Sequence, residues 1–86
     1  MSKQLYAQAI EKFGIDSQLN ILIEECSEII KEVCKRKRGY DNTDDLAQEL
    51  VDVEIMIGQM RVVFGDEMDK WKKIKLKRLK RLIENE

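Results

Sequence analysis

Residues 43–64 read TDDLAQELVDVEIMIGQMRVVF, and the spacing inside this stretch decides the fold class. Leu46, Leu50, Val53, Ile57, Met60 and Phe64 follow one another at steps of 4, 3, 4, 3 and 4, the seam of a helix that packs against other helices. Thr43 is placed to cap this helix, with Asp44 and Asp45 in its positively polarised first turn. Working outward, Gly39 to Asn42 reads as a turn, and the segment before it repeats the pattern. There Leu19, Leu22, Cys26, Ile29, Ile30 and Val33 recur at helical spacing, with Asp16 and Ser17 as N-cap candidates and Lys35 to Arg38 at the C-terminal end. A shorter first segment, Ser2 to Phe13, carries Leu5, Ala9, Ile10 and Phe13 and closes on Gly14. Beyond Gly65 and Asp66, a stop and a new start, the last segment sets Met68, Trp71, Ile74, Leu79, Leu82 and Ile83 among lysines and arginines. Gly58, inside the third segment, marks a close approach between helices.

The expectation is an all-α chain, an antiparallel four-helix bundle forming one domain over residues 1–86. No proline and only 4 glycines interrupt it, and no stretch alternates as a strand does. A chain of 86 residues has a thin core, and association with copies of itself, as a dimer or tetramer, is a common remedy.

Composition removes several chemistries. With 0 histidines, Ser-His-Asp and Cys-His nucleophile systems, histidine zinc sites and Glu-x-x-His di-iron sites are excluded. Cys26 and Cys34 cannot make a zinc cluster alone and read as small buried thiols. No apolar run has the length of a membrane span, and no signal peptide is recognisable, so a cytoplasmic location is expected. The net charge of −1 conceals an asymmetry: residues 1–65 hold 8 basic and 12 acidic side chains, and residues 66–86 hold 8 basic and 5 acidic.

The acids carry the functional signal. Glu25 and Glu28 share one side of the second helix, Glu49 and Asp52 one side of the third, and each pair borders an apolar stripe. An antiparallel contact between these helices gathers four carboxylates, which repel one another and resist desolvation unless a counter-charge is present. Mg²⁺ or Mn²⁺, hard cations that prefer oxygen ligands, would supply it.

Glu24-Glu25-x-x-Glu28, 20 intervening residues, and Glu49-x-x-Asp52 resemble the signature of the MazG-like all-α nucleoside triphosphate pyrophosphohydrolases, relatives of dimeric dUTPases and phosphoribosyl-ATP pyrophosphohydrolase. The resemblance covers the second and third helices, about half the chain. It implies a MazG-like bundle that hydrolyses a nucleoside triphosphate between the α and β phosphates, giving a monophosphate and pyrophosphate. It implies Mg²⁺ held by Glu25, Glu28, Glu49 and Asp52, with Glu24 or Glu25 serving the attacking water. Lys31 and Lys35 are candidates for phosphate contacts, including with a neighbouring subunit's nucleotide, and Asn42 for the base or sugar. Tyr6 and Trp71 divide between stacking on a base and packing.

Two other classes compete. A non-catalytic helical assembly module would use the same carboxylates in intersubunit ion pairs with Lys31, Lys35 and Arg61. A nucleic-acid-binding protein would use the basic helix from Lys70 to Arg81, against which the acidic pI of 5.6 argues.

Overall fold

Glycine and a single loop divide the chain into three helices. The computed structural model describes residues 2–85. Helix α1 is Ser2–Phe13, α2 is Ile15–Lys37 and α3 is Thr43–Glu84, with no strand among the described residues. Gly14 alone joins α1 to α2. Its φ of +85° is open to glycine and costly for other residues. Its amide donates to Ile10 O at 2.9 Å and its carbonyl accepts from Gln18 N at 3.2 Å, so one helix closes and the next opens on the same residue. Helix α2 therefore starts ahead of Asp16 and Ser17, which sit in its first turn and do not cap it. At the other junction Gly39, at φ +94°, ends α2, and Asn42 rather than Thr43 takes the N-cap position of α3. The Thr43 hydroxyl instead accepts a bond from Arg36 Nη1 at 2.6 Å and donates to Asp41 at 3.3 Å, bracing the loop.

The expected fourth helix is not separate. Residues 43–84 run as one helical element broken only at Phe64, whose φ and ψ of −115° and 17° leave the helical region. With no proline and one non-helical residue, the chain has nothing there from which to build a loop. A straight helix of 42 residues would run about 63 Å. The molecule's longest dimension is 41 Å, so the kink turns the chain sharply. Arg61 Nη1 meets Asp69 Oδ1 at 2.7 Å across that turn. Beyond Met68 every described residue is exposed, so within one chain the four-helix bundle is not completed.

Helices α2 and α3 pack antiparallel, and α1 lies mainly on α3. Met56 and Met60 are the only buried apolar side chains among the described residues. The inward row of α2 is Gln18, Leu22, Glu25, Ile29 and Glu32, and that of α3 is Asn42, Leu46, Glu49, Val53, Met56 and Met60. Both helices are thus turned by about one residue from the expected stripes. Ile30, Val33, Leu50, Ile57 and Phe64 are exposed, as is Cys34, while Cys26 is half-buried. The reason is physical: with no fourth helix folded back, each long helix covers only one side of a wide apolar surface.

Gly58 is the close approach. The Tyr6 ring rests against it, and a Cβ at this position would overlap the ring. Tyr6 is therefore a packing residue. Gly58→Ala, which in an open helix adds about 1 kcal/mol of stability, is expected here to lower it by about 1–3 kcal/mol. Thermal unfolding followed by circular dichroism measures this, and in a Tyr6→Ala background the same Gly58→Ala substitution should cost little or nothing.

Candidate metal centre

The antiparallel register brings polar residues of α2 and α3 face to face along the whole seam. At one end Gln18 Nε2 donates to Gln59 Oε1 at 2.7 Å, and Gln59 Nε2 reaches Met56 Sδ at 3.6 Å. At the loop end Asn42 Nδ2 donates to both the backbone carbonyl and Oε1 of Glu32, each at 2.9 Å. Lys35 Nζ completes that clamp, 3.3 Å from Glu32 Oε2. The Asn42 amide holds Glu32 below the ordinary carboxylate pKa of 4.5, with Lys35 assisting and burial opposing. Glu32 is a paired, structural carboxylate.

Between these ends the seam holds carboxylates without cations. Glu25, Glu49 and Asp52 each place an oxygen so that all three lie within 4.8 Å of one another. Glu25 and Glu49 are half-buried and Asp52 is exposed, so the group opens to solvent on the Asp52 side. A shallow depression of about 310 Å³, lined by Ala47, Gln48, Val51 and Asp52, adjoins it. Glu25 Oε2 and Glu49 Oε2 are buried with no hydrogen-bond partner, an arrangement that costs free energy unless something else pairs with them. Burial first, then a hydrogen bond shared with Asp52 and the charges of Asp52, Glu49 and Glu28, raise Glu25 above 4.5. Burial and the charges of Asp52, Glu28, Glu32 and Asp45 raise Glu49.

Three of the four expected carboxylate ligands thus converge. Glu28 stands apart from the trio, with Lys31 Nζ 3.8 Å away, and acts on Glu25 and Glu49 through its charge. Glu24 is exposed and outside the group. Lys31 and Lys35 lie along the same helix, each paired with the glutamate one turn earlier, and Arg61 is paired with Asp69. Asn42 is buried and its amide nitrogen is committed to Glu32, so it clamps the loop to α2. Trp71 is exposed, with Lys70 Nζ 5.5 Å from its ring centroid.

An all-oxygen donor set with two orphaned buried oxygens fits a hard divalent cation such as Mg²⁺ or Mn²⁺. Two polar contacts that hold the seam, Gln18 with Gln59 and Glu32 with Asn42, were not singled out in the sequence reading; the 4- and 3-residue steps from Gln18 through Leu22, Glu25 and Ile29 to Glu32 are the signal that carries them.

Comparison with known proteins adds no identification: the chain matches no family model, no curated protein and no solved structure. No helix among the described residues is long and apolar enough to cross a membrane.

Two stability measurements follow from the seam. Asn42→Ala strips Glu32 of its principal partner and is expected to cost about 1–3 kcal/mol in urea unfolding at neutral pH. Glu25 and Glu49, with raised folded-state pKa values, make the metal-free fold lose stability as pH rises above 4.5. Asp52→Asn relieves part of that repulsion, so in chelator it is expected to match the wild type or exceed it by about 0.5 kcal/mol. A loss above about 1 kcal/mol would mark Asp52 as structural.

Proposed function

We propose that this protein is a Mg²⁺-dependent nucleoside triphosphate pyrophosphohydrolase of MazG-like type, working as a cytoplasmic homo-oligomer, with Mn²⁺ as an alternative ion. The observation that carries the reading is the convergence of Glu25, Glu49 and Asp52 with two buried oxygens lacking any partner. Evolved binding sites keep such destabilising groups together when a ligand compensates them. The spacing of Glu24-Glu25-x-x-Glu28 and Glu49-x-x-Asp52 supports the same reaction class.

A bound divalent ion neutralises phosphate oxygens and acidifies a coordinated water, which suits phosphoanhydride hydrolysis. In this reading Glu25, Glu49 and Asp52 hold the ion. Glu28 adds negative charge from the adjoining turn and, in a rotamer turned away from Lys31, joins the ligands. Rigid helices fix the carboxylates, while the open side at Asp52 admits a polyphosphate. Glu25, at the inner side of the group, is placed to orient or deprotonate the attacking water. Lys31, whose ammonium is largely exposed beside Glu28, is the first choice for phosphate contact, with Lys35 next. Asn42 donates through its amide nitrogen to Glu32, and in this reading it serves the loop end of the seam ahead of any contact with the base or sugar.

A second reading, a non-catalytic assembly module, is favoured by the extent of exposed apolar surface on α2 and α3. The ion pairs it invoked are made within the chain, by Lys31 with Glu28, Lys35 with Glu32 and Arg61 with Asp69.

The deciding assay incubates the protein with a panel of ribo- and deoxynucleoside triphosphates, with Mg²⁺ and with chelator. Metal-dependent release of pyrophosphate and monophosphate is expected, falling at least about 100-fold in Asp52→Asn while helicity is unchanged. Turnover that survives in Asp52→Asn, or no turnover of any triphosphate by folded protein, would contradict the proposal.

A further inference from the structure

The longest run of like charge in the chain lies beyond the Phe64 kink and takes no part in the metal centre. From Lys70 to Ile83 the sequence reads KWKKIKLKRLKRLI, 8 lysines and arginines with no acid among them. The run is continuous helix, about 21 Å long, and every residue in it is exposed. With about 100° of turn per residue, Lys70, Lys73, Lys77, Arg78, Lys80 and Arg81 fall within one arc of about 160°. Among the described residues only Lys80 of these six has an ion-pair partner, Glu84 at 3.8 Å, and both side chains are exposed. We propose that this cationic face binds the phosphodiester backbone of double-stranded DNA, without reading its sequence.

Three observations choose this partner. The first is repulsion left standing within the helix. Lys70 with Lys73, Lys73 with Lys77, and Lys77 with Lys80 and Arg81 are three or four residues apart, a spacing at which like charges destabilise a helix. Elsewhere Lys31, Lys35 and Arg61 each meet a carboxylate; here the charge is kept for something outside the chain. The second is reach. A duplex carries one negative charge per about 1.7 Å, so about 12 phosphates lie along the 21 Å of this face, far more than one nucleoside triphosphate offers.

The third observation separates DNA from a lipid surface. A helix lying in a membrane interface sinks a continuous apolar side opposite its cations. Here Lys72 stands between Met68 and Leu76, and Lys75 between Trp71 and Leu79, each four residues from its apolar neighbours, so that side is interrupted by charge. The pI of 5.6 is an average over the whole chain. Of its 17 acids, 15 precede Lys70, and with screening over about 8 Å at physiological salt a polyanion meets the local field of the segment.

The proposal is independent of the metal centre and is tested in chelator, so that no ion bridges DNA to the carboxylates. Fluorescence anisotropy of a short labelled duplex should report binding that weakens about 10³-fold between about 50 and about 200 mM salt, a log–log slope of about −5 for six phosphate contacts. Lys73→Gln with Lys77→Gln should make that slope shallower by about 2 and weaken binding alike on AT-rich and GC-rich duplexes. Lys3→Gln with Lys12→Gln, the same change in net charge placed on α1, should leave the slope as it is. Vesicles of phosphatidylcholine and phosphatidylserine should bind more weakly than the duplex. No binding to DNA at about 50 mM salt, a wild-type slope shallower than about −2, or a slope unmoved by the substitutions at 73 and 77 would each overturn the proposal. Equal flattening by the α1 substitutions, or tighter binding to the vesicles than to the duplex, would overturn it as well.

Discussion

Everything distinctive in this molecule depends on burying carboxylates in the seam between α2 and α3. A two-helix seam is usually apolar, because burial of apolar surface is what holds helices together. Here Glu25 and Glu49 occupy inward positions between Leu22, Ile29, Leu46 and Val53, and each leaves one oxygen buried without a partner. The neighbouring polar residues do not offset this. Gln18 is engaged with Gln59, Asn42 with Glu32, and Lys31 and Lys35 with their own helix. The middle of the seam keeps a concentrated negative charge that a small cation would satisfy.

That choice has consequences for the rest of the fold. Giving part of the seam to acids and amides leaves Met56 and Met60 as the buried apolar residues among those described. Apolar surface that a bundle would enclose is turned outward on α2, on α3 and on the whole segment past Phe64.

Much of this was legible in the sequence, and the exceptions have identifiable causes. Helical periodicity and the glycines at 14 and 39 placed α1, α2 and the start of α3 to within a residue or two, and Gly58 signalled the approach of Tyr6. The pairs Glu25 with Glu28 and Glu49 with Asp52 pointed to the region where three carboxylates meet. The break at Gly65 was over-read. Glycine lowers helix propensity without forbidding a helix, so two segments became one kinked element. The rotation of the stripes was hidden because both faces of α2 and α3 are apolar, and only tertiary packing decides which is covered. Asn42, in a turn, looked available to a ligand; its commitment to Glu32 depends on a contact between residues 10 apart that no local pattern encodes.

The most direct measurement is calorimetric titration of Mn²⁺ into the metal-free protein at neutral pH. The account predicts saturable binding that is absent in Asp52→Asn. Failure of folded wild-type protein to bind Mn²⁺, or binding that persists unchanged in Asp52→Asn, would contradict the claim that this seam is built around a cation.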